Sequence, residues 1–506
     1  MKSYLGIEFG STRIKAVTID EAFQTIDTSS YGWKSDLKNG IWTYSLEEAW
    51  KGLKVVLSKL SLRDVSAVGI SGMMHGYLAF DKDWNLLVPF RTWQNTITAQ
   101  AASTLTALFG INIPQRWSIA HLYQAILNEE AHVPQIAHLT TLSGYIHYLL
   151  TGVNALGIGE ASGMFPINNA CTDYDEGMIQ QFDALLQEKK LPFRLRQLLP
   201  EVRCAGTPCG RLSTDGAARL NNLLPVGIPF APPEGDAGTG MTATNAVAPR
   251  TGNISAGTSI FSMVVLECPL QKVHPEIDVV TTPDGHPVAM VHCNNCTNDS
   301  NAWFSLIGEA VQLFGASVDT NTLFSKLYQK SLEAEPDCGG ILSCNYLAGE
   351  SVTHFDKGCP LLLRKPGSHF TLANFLRAQL YSSIATLHIG MELLAQDGIS
   401  IDRLTVHGGF VKTAGVGQRY LAASCGVPIT LLETAGEGGP YGMALLAGYM
   451  LDGNGISLPT YLSQNVFAGS SHVTYTPDRD DTEGFLHYME NYTALLEIER
   501  AAITLF

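Results

Sequence analysis

Apolar residues run from Leu5 to Phe9, stop at Gly10-Ser11-Thr12, and resume in alternation through Ile14, Ala16 and Thr18. That pattern predicts a strand, a tight turn and a second strand. It returns from Asn253 through Gly257-Thr258-Ser259 to Leu266, with the two turn glycines 247 residues apart in a chain of 506. A hairpin repeated half a chain apart predicts a duplicated domain, divided into 1–250 and 251–506. In each turn the backbone amides and hydroxyls can face phosphate oxygens, and Gly10 lets a ligand approach the backbone. Lys15 adds a point charge to the first turn, and Glu8 is placed to hold a metal-bound water.

Between the hairpins, residues 41–60 read as an amphipathic helix, entered through a capping box made by Ser45 and Glu48. Val65 to Gly72 reads as a buried strand, and it opens into Met73-Met74-His75-Gly76-Tyr77 before a second strand from Leu78 to Asp81. Open α/β sheets bind ligands at such strand ends, so His75 is either a satisfied core histidine or a ligand contact. Trp93-Gln94-Asn95 is either a binding cluster or the entrance to a helix from Ile97, with Asn95 or Thr96 as its N-cap.

Residues 97–150 read as three helical segments. Thr151 to Gly163 reads as a polar loop, a candidate wall of a site. The stretch to Pro225 reads as an irregular helical insertion without evident chemistry. Gly235-Asp236-Ala237-Gly238 then precedes a helix of small residues from Ala243 to Ala248. Asp236 is either a helix cap, worth about 1 kcal/mol, or a carboxylate that its flanking glycines leave open to a substrate.

In the second half, His292 to Trp303 is a dense polar segment before a helix from Trp303 to Phe314. A long helix is predicted over Leu372–Gln396, and a strand from Ile401 ends in His407-Gly408-Gly409. The next helix ends at Cys425-Gly426, and a glycine-rich stretch from Thr434 through Gly442 opens a small-residue helix. A last helix is predicted near 480–503. Glycine turns at these strand ends suit a flat slot for a purine and ribose.

Composition narrows the choice. Hydrophobic residues make up 45% and charged ones 16%, which predicts a packed globular chain. The net charge of −15 argues against a nucleic-acid partner and against an anionic membrane surface. The ten cysteines form no disulfide-like framework, and Cys293-Asn294-Asn295-Cys296 has no second pair, so these read as buried thiols. With no signal peptide and no spanning segment, the expected compartment is the cytoplasm.

Taken in order, these motifs resemble the FGGY carbohydrate kinases, in particular the xylulokinase-like branch. The first hairpin matches the family's opening phosphate motif, and Ser71-Gly72-Met73-Met74-His75-Gly76 resembles its sugar-contacting motif. Trp93-Gln94-Asn95 resembles its tryptophan motif, and Gly235-Asp236-Ala237-Gly238 matches the segment with the catalytic aspartate. Asn253 to Ser259 matches the second phosphate motif, His407-Gly408-Gly409 the adenosine motif, and Glu437 to Ala447 the late glycine motif. Three positions depart from the family pattern: Glu8 and Asn95 each replace an aspartate, and Met73 replaces a glutamine.

The resemblance implies two ribonuclease-H-like α/β domains of the actin and hexokinase superfamily, with an ATP and sugar cleft between them. It implies transfer of the ATP γ-phosphate to a terminal sugar hydroxyl, xylulose first, with Asp236 as general base. Met74, His75, Trp93, Asn95 and Asp236 would contact the sugar. Gly10, Ser11, Thr12, Lys15, Gly257, Thr258, Ser259, Gly408, Gly409 and Gly442 would contact ATP. Glu8 and Asp236 would stand near Mg²⁺, and a homodimer is among the expected assemblies. Ribulose, fuculose or rhamnulose, gluconate and polyols are the alternative substrates. A silent sugar- or nucleotide-binding sensor and a partner-coupled, actin- or chaperone-like ATPase are the alternatives of other classes.

Overall fold

The computed structural model describes residues 2–432 and 438–505. They form two compact units: Met1–Ala248, Asp278–Val288 and Glu437–Gly469 in the first, and Pro249–Ile277, Ala289–Gly436 and Ser470–Phe506 in the second.

The first unit is built on strands β1 (Ser3–Phe9), β2 (Arg13–Asp20), β3 (Thr25–Gly32), β4 (Val65–Gly72) and β5 (Glu234–Gly235). Their order in the sheet is β5-β4-β1-β2-β3. β1 and β2 pair antiparallel with Glu8 opposite Lys15, while β1, β4 and β5 run parallel. Every residue of β1 is buried, as expected of a central strand covered on both faces. Helices α1 (Leu46–Leu57), α2 (Ala99–Phe109), α3 (Ser118–Leu127), α4 (Leu142–Thr151), α5 (Ile158–Ser162) and α6 (Asp236–Ala243) follow the strands or precede β5. Leu5, Ile7, Phe9, Leu53, Val56, Ile70 and Ile146 share the main core of this unit.

The second sheet has β6 (Thr251–Ala256), β7 (Ile260–Val265), β8 (Ile277–Thr281), β9 (Pro287–Cys293), β10 (Arg403–His407), β11 (Ile429–Leu432) and β12 (His472–Tyr475). Its order is β8-β9-β7-β6-β10-β11-β12. The inner five strands repeat the plan of the first sheet: an antiparallel hairpin, then a fourth and fifth strand parallel to the first. This is the duplicated ribonuclease-H-like order that the resemblance implied. Helices α7 (Thr297–Leu313), α8 (Leu372–Gln396) and α9 (Gly417–Cys425) join it, and Ile254, Val264, Tyr381 and Leu404 lie in its core. Of the last two helices, α10 (Gly438–Asp452) belongs to the first unit and α11 (Arg479–Ala502) to the second.

Several local expectations change. Residues 41–43 form a strand and the helix begins at Leu46, capped by the Ser45 hydroxyl on the Glu48 amide. The helix expected from Ile97 starts at Ala99, and neither Asn95 nor Thr96 caps it. Thr151 to Gly163 is not an open polar loop. It contains a buried strand (Ala155–Gly157) and the wholly buried α5. The small-residue helix after β5 begins at Asp236 and ends at Ala243, earlier than the expected Ala243–Ala248. The helix expected from Trp303 begins six residues sooner, at Thr297. Thr434 to Glu437 of the late glycine motif lie outside the described residues. No helix among the described residues is long and apolar enough to cross a membrane.

Candidate active site

In the first unit, the opening turn is held from behind. Trp33 donates from Nε1 to the Gly10 carbonyl (2.7 Å) and from its amide to the Thr12 carbonyl (3.2 Å), and the Tyr44 hydroxyl donates to the Ser11 carbonyl (2.6 Å). With the carbonyls of this turn tied inward, Ser11 and Thr12 are exposed. One residue before the turn-flanking Phe9, Glu8 is buried, with Lys15 Nζ 3.7 Å from its carboxylate. Burial pushes the Glu8 carboxyl up to about 7, opposed by Lys15 and reinforced by the charge of Asp236.

Asp236 is the first residue of α6, and the N-cap position falls on Gly235. Its Oδ1 accepts the Met74 amide at 3.3 Å. Burial pushes this carboxyl up to about 6, against the pull of the Met74 and Ala237 amides. The Asp236 carboxylate thus ties the Met73–Gly76 turn that leaves β4 to the start of α6, shared between the Met74 and Ala237 amides.

His75 adopts a left-handed backbone (φ 68°) with Gly76 following at φ 85°, an uncommon conformation for a side-chain-bearing residue that concentrates at functional sites. Its ring lies parallel to Trp117 at 6.3 Å between centroids, and Nδ1 is 3.0 Å from the Gly163 carbonyl. Burial, and then the Arg116 charge, push His75 down to about 3, so the ring is neutral at physiological pH. A neutral imidazole facing a carbonyl donates from that nitrogen, which leaves Nε2 as an acceptor. Arg116 itself is paired with Asp278, whose carboxylate also accepts Asn112 Nδ2 at 3.1 Å.

Contacts or direct electrostatic coupling thus bring Glu8, Lys15, Met74 and Asp236 together, with His75 next in the chain to Met74. Trp93 and Asn95 stand apart. The Asn95 side chain is consumed as a staple: Oδ1 accepts the Trp42 amide (2.8 Å), and Nδ2 donates to the Trp42 (2.9 Å) and Thr92 (3.0 Å) carbonyls. Trp93 is 38% exposed at the surface. Gly442 also takes another place. It is buried in α10, where a Cβ would overlap the Thr239 carbonyl of α6, so its size permits close helix–helix contact.

Two acids escaped the sequence reading. Glu160 on α5 and Glu234 on β5 are almost wholly buried, and the Glu160 amide donates to Glu234 Oε2 at 3.0 Å. Burial, with the charges of Asp236 and Glu234 adding to it, pushes the Glu160 carboxyl well above the usual carboxylate range. Burial likewise pushes Glu234 up to about 8, opposed by three backbone amides. The signal in the sequence was Gly157-Ile158-Gly159-Glu160, two glycines that make room for a carboxylate arriving from elsewhere.

Glu8 and Asp236 carry hard carboxylate oxygens whose charges disfavour each other, close to the Gly10–Thr12 turn. A divalent cation that keeps most of its waters fits such a pair. No cluster of three or more His, Cys, Asp or Glu side chains among the described residues offers a full protein cage.

In the second unit, the Gly257-Thr258-Ser259 turn is braced by the start of α7. The Cys296 amide donates to the Thr258 carbonyl (3.0 Å), and the Thr297 amide (3.2 Å) and hydroxyl (2.9 Å) donate to the Gly257 carbonyl. Gly408, at φ 111°, lies against Ala256 so closely that a Cβ would overlap its carbonyl, and Gly409 beside it is open and exposed. The adenosine motif and the second phosphate turn therefore adjoin. Cys293 and Cys296 are buried, burial pushes both thiols up, and all ten cysteines are free.

Comparison with known proteins agrees with this geometry. Residues 3–241 match the model of the N-terminal domain of the FGGY family of carbohydrate kinases, and residues 252–451 match that of its C-terminal domain. The xylulose kinase of Escherichia coli K12 is 25% identical over 476 residues, covering 88% of this chain and 89% of that one. The xylulose kinase of Haemophilus influenzae is 23% identical over 437 residues, covering 81% and 83%. Among solved structures, ligand-bound xylulose kinase from Lactobacillus acidophilus superposes with a TM-score of 0.80 at 16% identity, covering 98% of each chain. With both domain models matched in order along the chain, this protein belongs to the FGGY family of carbohydrate kinases and is an ATP-dependent sugar kinase.

Proposed function

We propose that the chain transfers the γ-phosphate of ATP to a terminal hydroxyl of a small ketose, with xylulose the first candidate, and that Asp236 is the general base. The carrying observation is the Asp236 carboxylate, held by the Met74 amide next to the His75 turn. A substrate hydroxyl at that carboxylate gives up its proton to Asp236 as its oxygen attacks the γ-phosphorus and ADP departs. A carboxyl raised to about 6 is ionised at neutral pH and still basic enough to take that proton. His75, accepting through Nε2, orients a second hydroxyl, and the Met74 side chain packs against the sugar.

The Gly10–Thr12 turn and Lys15 would receive phosphate oxygens in the first unit. In the second, the Gly257–Ser259 turn would receive phosphate oxygens, and Gly408 and Gly409 the adenosine. Mg²⁺ near Glu8 and Asp236 would neutralise phosphate charge when bound. The two xylulose kinases described above favour a ketopentose over the alternatives.

The test is ADP release with Mg-ATP across ketopentoses, deoxyketoses, polyols and aldonates, with Asp236→Ala as the blank. Stimulation by xylulose, lost in the variant, is the expected result. A panel in which no sugar stimulates turnover, with ATP binding intact, would overturn the reading.

A further inference from the structure

We propose that Glu234 is a positioning residue for His75: its buried carboxylate caps the start of α5, the short helix whose following residue, Gly163, holds the His75 ring. This rests on the proposed sugar-binding role of His75 and deepens it.

α5 has no side-chain cap of its own, because its N-cap position is Gly157. Glu234 supplies one from β5. Its Oε2 accepts the Glu160 amide at 3.0 Å, and the Gly159 amide also donates to its carboxylate. These amides lie in the first turn of the helix, where backbone donors have no partner within the helix. The space for the carboxylate exists because residues 157 and 159 are glycines, since a Cβ on either would overlap Glu234.

At its other end the helix delivers the Gly163 carbonyl to His75 Nδ1 at 3.0 Å. Five helical residues span only about 7 Å, so a shift at the capped end is felt at Gly163. Thr281 braces the same helix from the side: its amide donates to Ser162 Oγ and its hydroxyl to the Ile158 carbonyl, each at 3.0 Å. One two-residue strand thus sends Glu234 to the helix that sets His75 and leads directly into Asp236. Because the imidazole must donate to Gly163 to keep Nε2 as an acceptor, the cap governs how the sugar is received.

The experiment measures sugar and ATP KM and kcat for wild type, Glu234→Ala, Glu234→Gln, Thr281→Val, His75→Ala and the double variant Glu234→Ala/His75→Ala. Glu234→Ala is expected to raise sugar KM at least tenfold and ATP KM less than twofold. Glu234→Gln keeps an acceptor and should recover most of the loss. In the His75→Ala background the Glu234 effect should vanish, as for residues acting along one path. If Glu234→Ala does not fold, Glu234→Gln and Thr281→Val decide, each expected to raise sugar KM a few-fold at unchanged ATP KM. Equal changes in both KM values, or effects that simply add in the double variant, would overturn the proposal. Absence of sugar-stimulated ADP release by the wild type would instead remove the functional reading on which it rests.

Discussion

Gly10-Ser11-Thr12 and Gly257-Thr258-Ser259 each join the first two strands of a sheet of the same order, yet each is held by different means. The first is braced by aromatic side chains, Trp33 and Tyr44, and stands beside charge: Glu8, Lys15 and Asp236. The second is braced by the first residues of α7, and no ion pair among the described residues involves its three members. The duplicated backbone thus carries two divergent chemistries. In the first unit the turn sits in an electrostatic cluster able to manage a proton and a cation. In the second, the turn and its neighbour Gly408 form a backbone surface suited to a nucleotide, where exact placement of amides matters and side-chain charge does not.

That contrast can be broken first at Glu8. Glu8→Gln keeps the shape and removes the charge, so kcat should fall about 10- to 100-fold and the Mg²⁺ midpoint should rise, read by titrating Mg²⁺ at saturating ATP. An unchanged midpoint would remove the cation from the first turn. Gly442→Ala comes next. It forces α10 off the Thr239 carbonyl of α6 and should cost about 1–3 kcal/mol of stability by denaturant unfolding. A stable variant with raised ATP KM would restore Gly442 to an adenine slot.

Thr297→Val in the second unit removes the hydroxyl bond to the Gly257 carbonyl but leaves the amide bond. ATP KM should rise about threefold to tenfold, in line with roughly 1 kcal/mol for one hydrogen bond, while sugar KM stays put. A matching rise in sugar KM would blur the division of labour between the turns.

The first unit's cluster also has a pH signature. Asp236 and Glu8 titrate near 6 and 7, above their unfolded values of about 4. A raised carboxyl favours the protonated folded state, so its contribution is complete below pH about 4 and is lost as pH rises through 6 to 7. The metal-free protein should therefore lose about 3–4 kcal/mol between pH 5 and 8 from this pair, and Asp236→Asn should flatten the loss. A pH-independent stability in wild type would contradict the burial assigned to both groups.

The parts of the fold set by local pattern were legible in the sequence. Val65–Gly72 and Leu372–Gln396 have the predicted limits because their apolar periodicity and caps agree with their burial. The hairpins were legible because strand alternation breaks at glycine in both halves. The failures share a physical cause, which is tertiary use of a locally ambiguous residue. Gly157 and Gly159 look like loop residues, but they are small because Glu234 fills their side-chain space. Asn95 has the chemistry of a cap or a ligand, and the Trp42 and Thr92 backbones claim it. Asp236 faces the first turn of its own helix, yet its carboxylate also takes the amide of Met74, a partner 162 residues away. Gly442 sits in a glycine-rich run, but the reason for its size is a neighbouring helix.

The most direct test of the first unit's chemistry is a single-turnover measurement of phosphoryl transfer from radiolabelled ATP to xylulose, comparing wild type with Asp236→Asn. With Asp236 as base, the variant binds ATP and xylulose within about threefold of wild type, and transfer slows by at least 10²-fold. Transfer within threefold of wild type at unchanged binding would contradict that role and leave Asp236 as a structural tie to the Met74 amide.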